Sequence, residues 1–192
     1  MHTFELVGGH PALDFLNTIS DWTVESPRDF LADGHEAVRF GEQAGLLGRA
    51  DVSQSPVSAA ELAKLKALRT LLERVVQALL EERAPLPSDL EALDLLRTEV
   101  SRASRLAFLD GRLTSDVSVA RAGGSTLRLR IAAGAIGLLH SAALPRIKRC
   151  PSCAWFFLDT SKNGSRRWCS MATCGATAKA HRYYWKDRDP PA

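Results

Sequence analysis

Cysteine is missing from the first 149 residues of this 192-residue chain, and four then fall within twenty-five positions, Cys150 to Cys174. No apolar run approaches the roughly 18 residues that a membrane-spanning helix needs, so no membrane association is expected. The opening stretch, MHTFELVGGHPALDFLNT, lacks the basic segment, apolar core and small-residue cleavage site of a secretory signal. These absences predict a cytoplasmic protein. In that reducing compartment a cysteine cluster binds metal or does redox chemistry more readily than it forms structural disulfides. Catalytic constellations are also missing. His2, His10, His35, His140 and His181 are scattered, with no His-x-x-x-His spacing, and Gly8-Gly9 is too short for a phosphate loop. No nucleophile–base pair and no acid–base carboxylate pair is placed together, so no enzyme is expected. There is no internal repeat and no low-complexity tract.

What is present is an ordinary globular composition, 45% hydrophobic and 24% charged, with its charge unevenly spread. From Arg146 onward ten Lys and Arg face three Asp, a net +7, which leaves −4 for the first 145 residues and +3 overall. An acidic body thus carries a basic tail, and a basic tail predicts a polyanionic partner, nucleic acid first, with a solvated surface as the alternative.

The body reads as helices. Pro11 ahead of Leu13, Phe15, Leu16 and Ile19 predicts a short buried helix over 11–19. Ala37, Phe40, Ala44 and Leu47 predict a second over 34–47, closed by Gly48. Ser58-Ala59-Ala60-Glu61 matches a capping box, and Leu62, Leu65, Leu68, Leu72, Val75 and Leu79 behind it form one apolar stripe. Pro85 and Pro87 stop that helix. A second box, Ser88 to Glu91, opens the next, which should lie antiparallel to it. Asp110-Gly111 between Leu106, Phe108 and Leu113, Val117, Val119 predicts a tight hairpin. The small-residue run after Gly123-Gly124 predicts a buried helix over 125–142, ended by Pro145. Asp14 and Asn17 are polar residues in an apolar segment; they either line a ligand pocket or hydrogen-bond neighbouring backbone.

Cys150-x2-Cys153 and, fifteen residues later, Cys169-x4-Cys174 supply two close pairs of soft ligands. Two such pairs meeting form the closed tetrahedral four-thiolate shell of structural Zn²⁺, which in small zinc domains carries roughly 10–16 kcal/mol of apparent binding energy. Catalytic Cys-x-x-Cys chemistry is disfavoured because no βαβ unit surrounds the motif. An iron–sulfur cluster accepts the same four cysteines, and spacing does not separate it from zinc. Between the pairs, Ala154 to Leu158 is strand-like, Ser161 to Gly164 signals a turn, and Arg166-Arg167-Trp168 should return as the second strand. A helix-compatible run, ATAKAHRYYWK, follows Cys174. Knuckle, hairpin, second pair and helix in that order predict a treble-clef-like finger.

On that last helix Lys179, Arg182 and Lys186 leave from one face, while Ala178, His181 and Trp185 lie on an adjoining one. With Arg166 and Arg167 these make the candidate nucleic-acid surface; the aromatics are expected to be the finger's own small core.

The tail C-P-x-C-x-W-x-F-x-D-x-S-x-N-G-S-R-R-W-C-S-M-x-x-C-G resembles the CGNR zinc finger. The front, with Gly8-Gly9, the run Leu13 to Thr18 and the hairpin before a small-residue helix, resembles the ABATE domain that precedes this finger in bacterial proteins. The resemblance implies a stress-related transcription regulator whose zinc-dependent tail binds DNA. Where the name-giving signature reads Cys-Gly-Asn-Arg, this chain has Cys174-Gly175-Ala176-Thr177: the ligand and glycine are kept, an amide and a guanidinium are lost. The whole is expected to be α+β and mainly α, a multihelical domain with a small hairpin over 1–145 and a four-cysteine finger over 146–192. The front domain would bind a small-molecule effector or a protein, a second copy of the chain included. The alternative is a protein-interaction module in which the finger is a structural staple with no DNA binding.

Overall fold

The computed structural model describes residues 3–54, 56–109 and 111–186; the side chains of residues 53, 54, 109, 182, 183, 185 and 186 are outside the description. Helix α1 (Pro11–Leu16) starts at His10, whose Nδ1 accepts the Ala12 N–H at 3.2 Å, with Pro11 preset for the first turn. It is shorter than predicted. Thr18 Oγ donates to the Phe15 carbonyl at 2.7 Å, and the chain turns away to bridge Ile19 with Asp29.

Helix α2 (Gly34–Gln43) is capped by Asp33, which accepts the Glu36 N–H at 2.9 Å. It ends four residues before the predicted limit, and Gly45 rather than Gly48 ends it. At φ +69° Gly45 lets its own N–H reach Glu42 and the Leu46 N–H reach Gly41, the paired closure that a left-handed residue makes possible. A short α3 (Arg49–Gln54), unforeseen in the sequence, follows.

Helix α4 (Ala59–Leu80) begins at the predicted cap, Ser58 Oγ accepting from Glu61 N at 3.2 Å. Only half of the box forms, because the Glu61 carboxylate accepts from Arg128 at 2.6 Å instead of reaching back to Ser58. Leu65, Leu68, Leu72 and Val75 are buried along its stripe. In α5 (Pro87–Ala103) the predicted second box is absent: Pro87 occupies the first turn, Leu86 makes no side-chain cap, and Asp89 pairs with Arg74 of α4 at 2.6 Å.

The chain runs directly from α5 into β1 (Ser104–Leu109), which pairs antiparallel with β2 (Arg112–Val117) in the register Leu109↔Arg112. Gly111 sits at φ +75°, as the turn requires; Asp110 lies outside the described residues. Leu106, Phe108 and Leu113 share one face and are about 70% exposed, so only the base of the hairpin, at Val117, joins the core. Val119, predicted as strand, instead opens the one-turn α6 (Val119–Ala122).

The central α7 (Thr126–Leu139) packs on α1, α4 and α5. Its Arg128, 7% exposed, donates to Glu61 of α4 and to Glu99 of α5, so a buried charge is paired on both sides and ties three helices together. Phe4, Phe15 and Phe40 meet in the same core, ring centroids 5.4 and 5.9 Å apart.

Beyond α7, β3 (Ile147–Arg149) pairs antiparallel with β4 (Phe156–Leu158), and α8 (Ala176–Lys186) follows the last cysteine. The predicted partner of the Phe156 strand was the segment Arg166 to Trp168; the observed partner is β3, ahead of the first cysteine, and residues 166–168 form no strand. The reason is local. Reversal at Cys150 to Trp155 is tight enough to close its own two-stranded sheet, and Arg166 is drawn inward. Ile147 and Phe156 belong to the main hydrophobic core, so the finger shares the body's interior. Among the described residues no helix is long and apolar enough to cross a membrane.

Candidate metal centre

The turn between β3 and β4 is a knuckle. Cys150 N–H donates to the Trp155 carbonyl at 2.8 Å and Ala154 N–H to the Cys150 carbonyl at 2.9 Å, which turns both thiols of the first pair to one side. The second pair arrives on a different element. Ser170 Oγ accepts the Thr173 N–H, winding Met171–Gly175 into a wide helical turn that carries Cys174 and runs into α8. All four sulfurs lie within 4.8 Å of one another, with Cys153 to Cys169 at 3.5 Å and Cys169 to Cys174 at 3.7 Å.

These separations fit zinc. A tetrahedral ion with Zn–S bonds of about 2.3 Å needs sulfurs about 3.8 Å apart, whereas a disulfide needs about 2.05 Å. The acid–base state of the cluster agrees. Hydrogen bonding from the Cys169 thiol draws Cys153 down to about 6, while donation to the Cys153 thiolate pushes Cys169 far up, with burial acting the same way. Cys153 is thus favoured as the thiolate of the pair, with the Cys169 thiol donating to it. Cys150 and Cys169 are buried among Val7, Phe157, Trp155 and Trp168, so the donor set is fixed by packing. Four protein ligands leave no open coordination position, so the zinc this site holds is structural: it joins the β3–β4 turn to the start of α8.

The loop between the pairs is organised by Asp159, fully buried at the end of β4. Its carboxylate accepts from Lys148 Nζ at 2.6 Å, from the Ser161 hydroxyl and N–H at 2.6 and 2.9 Å, and from Arg166 N at 3.0 Å. The Lys148 ammonium beside it, with these donors, holds Asp159 well below the usual carboxylate range.

The predicted nucleic-acid residues divide into two sets. Arg166 points inward: its guanidinium donates to the carbonyls of Trp168, Leu158, Val7 and Cys169 and lies 4.7 Å from the Phe157 ring centroid. Arg167 and Lys179 are exposed, Arg167 over the Trp168 ring at 5.6 Å. Arg182 and Lys186 are on α8, with side chains outside the described set, as is that of Trp185. Three further tail cations are occupied internally: Arg146 by the carbonyls of Asp159 and Ser161, Lys148 by Asp159, and Arg149 by Ala154 and Gln77.

Asp14 and Asn17 lie where the finger meets the body. Asn17 Nδ2 donates to the Phe156 carbonyl and Oδ1 accepts the Phe156 N–H, both at 2.9 Å, so the side chain completes the free edge of β4 as a strand would. Asp14 Oδ1 accepts the Gly8 N–H at 2.7 Å, and the Gly8 carbonyl accepts from Leu158 N at 2.8 Å. A Cβ at Gly8 would come 2.8 Å from Asp14 N, which explains the glycine. Trp155 Nε1 adds a 2.7 Å bond to the Ile19 carbonyl. Sequence reading missed this seam. The bond from Gly8 to Asp14 is the neighbouring-backbone contact that the sequence offered as one of two roles; nothing in the segment pointed to Asn17's partner, Phe156, 139 residues away.

A multihelical body joined through a shared core to a closed four-thiolate finger is a zinc-finger protein of two-part construction. The family comparisons agree with both parts. The profile of the ABATE family, whose description reads "Putative stress-induced transcription regulator", matches residues 9–142, and that of the CGNR zinc finger matches residues 146–187. The chain belongs to the ABATE family and carries a CGNR zinc finger. No curated protein matches it. Neither family description names an enzymatic activity.

Proposed function

We propose that the protein is a cytoplasmic DNA-binding transcriptional regulator, in which zinc orders a basic surface and the helical body, residues 1–145, governs its use. The observation that carries this reading is the division of cations in the tail, residues 146–192. Arg146, Lys148, Arg149 and Arg166 are occupied by the protein's own acceptors, yet Lys162, Arg167 and Lys179 remain exposed around the metal-held turn. Arg182 and Lys186 add charge along α8. Such a set supplies phosphate contacts, which bring affinity and salt dependence; base preference would come from the exposed start of α8, where Ala176 and Thr177 offer a methyl and a hydroxyl in place of the signature's amide and guanidinium.

The test is a variant with Arg167→Ala, Lys179→Ala and Arg182→Ala together, leaving Arg166 intact because its contacts are structural. Retention on duplex DNA should fall, and the slope of log affinity against log salt should shrink by about 3, near 0.9 for each phosphate that is no longer neutralised. Undiminished retention by a folded, zinc-loaded variant would sink the reading and favour a finger that docks protein.

A further inference from the structure

At the base of the β1–β2 hairpin a cleft of about 660 Å³ opens between β2, the α2–α3 loop and the side of α7. That volume lies within the range of small-molecule sites. Its floor is Arg130 of α7, 16% exposed, flanked by Ala133 and Gly134. The guanidinium staples the two walls unequally. Toward the loop its Nη1 donates to Asp51 at 2.6 Å and to the Leu46 carbonyl at 2.8 Å. Toward the hairpin its Nη2 reaches the Val117 carbonyl only at 3.2 Å and Asp116 only at 3.4 Å. Its Nε–H is buried with no hydrogen-bond partner among the described residues. The Nη2 side of a preset guanidinium that lines the cleft is therefore held more loosely than the Nη1 side.

The charges in the cleft select the ligand. Asp51 is committed, accepting from Arg130 and from the Gly48 N–H at 2.9 Å. Asp116 is committed through one oxygen only: its Oδ1 accepts the Val117 N–H at 2.8 Å, while Oδ2 stands at the long end of hydrogen-bonding distance from Arg130 and the side chain is 73% exposed. It occupies loosely the place where a carboxylate could bind the guanidinium closely. A simple anion displacing it would leave three negative charges around one positive. A ligand carrying both signs avoids this, because its cation can meet the displaced Asp116.

We propose that this cleft binds a small zwitterion of the α-amino-acid type, its carboxylate on Arg130 and its ammonium on Asp116. As an effector site this rests on the regulator reading, but the binding itself does not involve DNA. A packed route leads from the cleft to the finger. A Cβ on Gly134 would lie 3.5 Å from Cε1 of His10, the cap of α1, and α1 holds β4 through Asn17.

The experiment is calorimetric titration of the zinc-loaded full chain with each of the twenty standard amino acids, then with the N-acetyl and methyl-ester forms of any that bind. Saturable binding is expected for at least one, weakened about tenfold or more by either blocking group, since each removes a charge-assisted contact. Asp116→Asn, at an exposed position, should keep the melting temperature and weaken binding about tenfold; Arg130→Lys should weaken it as well. Absence of saturable heat with all twenty overturns the proposal, as does N-acetyl binding equal to the parent's or tightening in Asp116→Asn. Loss of DNA retention with amino-acid binding intact would fault the regulator reading alone.

Discussion

Asp14 shows at the scale of one residue what joining the two parts demands. Burial raises its carboxyl to about 6 from the usual 3.8, against the opposing effect of the Gly8 N–H. A raised carboxyl binds its proton more tightly in the folded state than in the unfolded one, so stability falls as pH rises from about 4 to about 6 and stays at the lower value above that. A shift of about two pH units corresponds to about 3 kcal/mol of destabilisation at neutral pH. Asp14→Asn keeps the acceptor for Gly8 and removes the charge. The variant should be about 2 kcal/mol more stable than the parent at pH 7 by denaturant unfolding, with the difference vanishing near pH 4. Equal stability at pH 7 would mean that the carboxylate is solvated after all. His10, whose half-buried imidazole is pushed to lower values by desolvation, acts in the opposite direction in both proteins and cancels in the comparison.

At the scale of elements, the contact of α1 with β4 is the joint between body and finger. Asn17 satisfies both backbone groups of Phe156, a residue with no exposed surface. Asn17→Ala would leave a buried N–H and a buried carbonyl unpartnered at about 1–3 kcal/mol each. A decrease of about 2–4 kcal/mol in unfolding free energy is expected, together with a smaller drop in the body's melting temperature on chelation of zinc, because the metal would no longer hold α1 through β4. A decrease below about 1 kcal/mol would show that the seam is not where the parts are coupled. This joint also marks how much could be read from the residues alone. The stripe from Leu65 to Val75, the cap at Ser58 and the cysteine pairs were legible because each is local, set by spacing along one element. The failures were of two kinds, one settled by a distant partner and one by competing local geometry. Glu61 left its box for Arg128, 67 residues away, whereas Pro87 started α5 ahead of Ser88 and the tight reversal at Cys150 to Trp155 paired β4 with β3. Periodicity carries no information about such choices.

At the scale of the molecule, the net +7 of the tail overstates its free charge. Four of its cations are taken up by the finger's own carbonyls, by Asp159 and by Gln77 of the body, so their positive charge is tied to the architecture as much as to any partner. Among the described residues, what remains exposed is a smaller set, Lys162, Arg167 and Lys179, presented by a finger whose Phe156 and Ile147 sit in the body's core. A finger so anchored does not swing on a linker. In the proposed regulator, a change in the helical body would reach it through these packed contacts. On the proposed function, zinc creates the DNA-binding surface. The most direct measurement is the anisotropy titration of a mixed-sequence fluorescent duplex with zinc-loaded and chelated protein across about 50–200 mM salt. The loaded protein should bind with a log–log slope of about −3 or steeper, and chelation should abolish binding at every salt concentration. Absence of binding by the loaded, folded protein at the lowest salt, or equal binding with and without zinc, would contradict it.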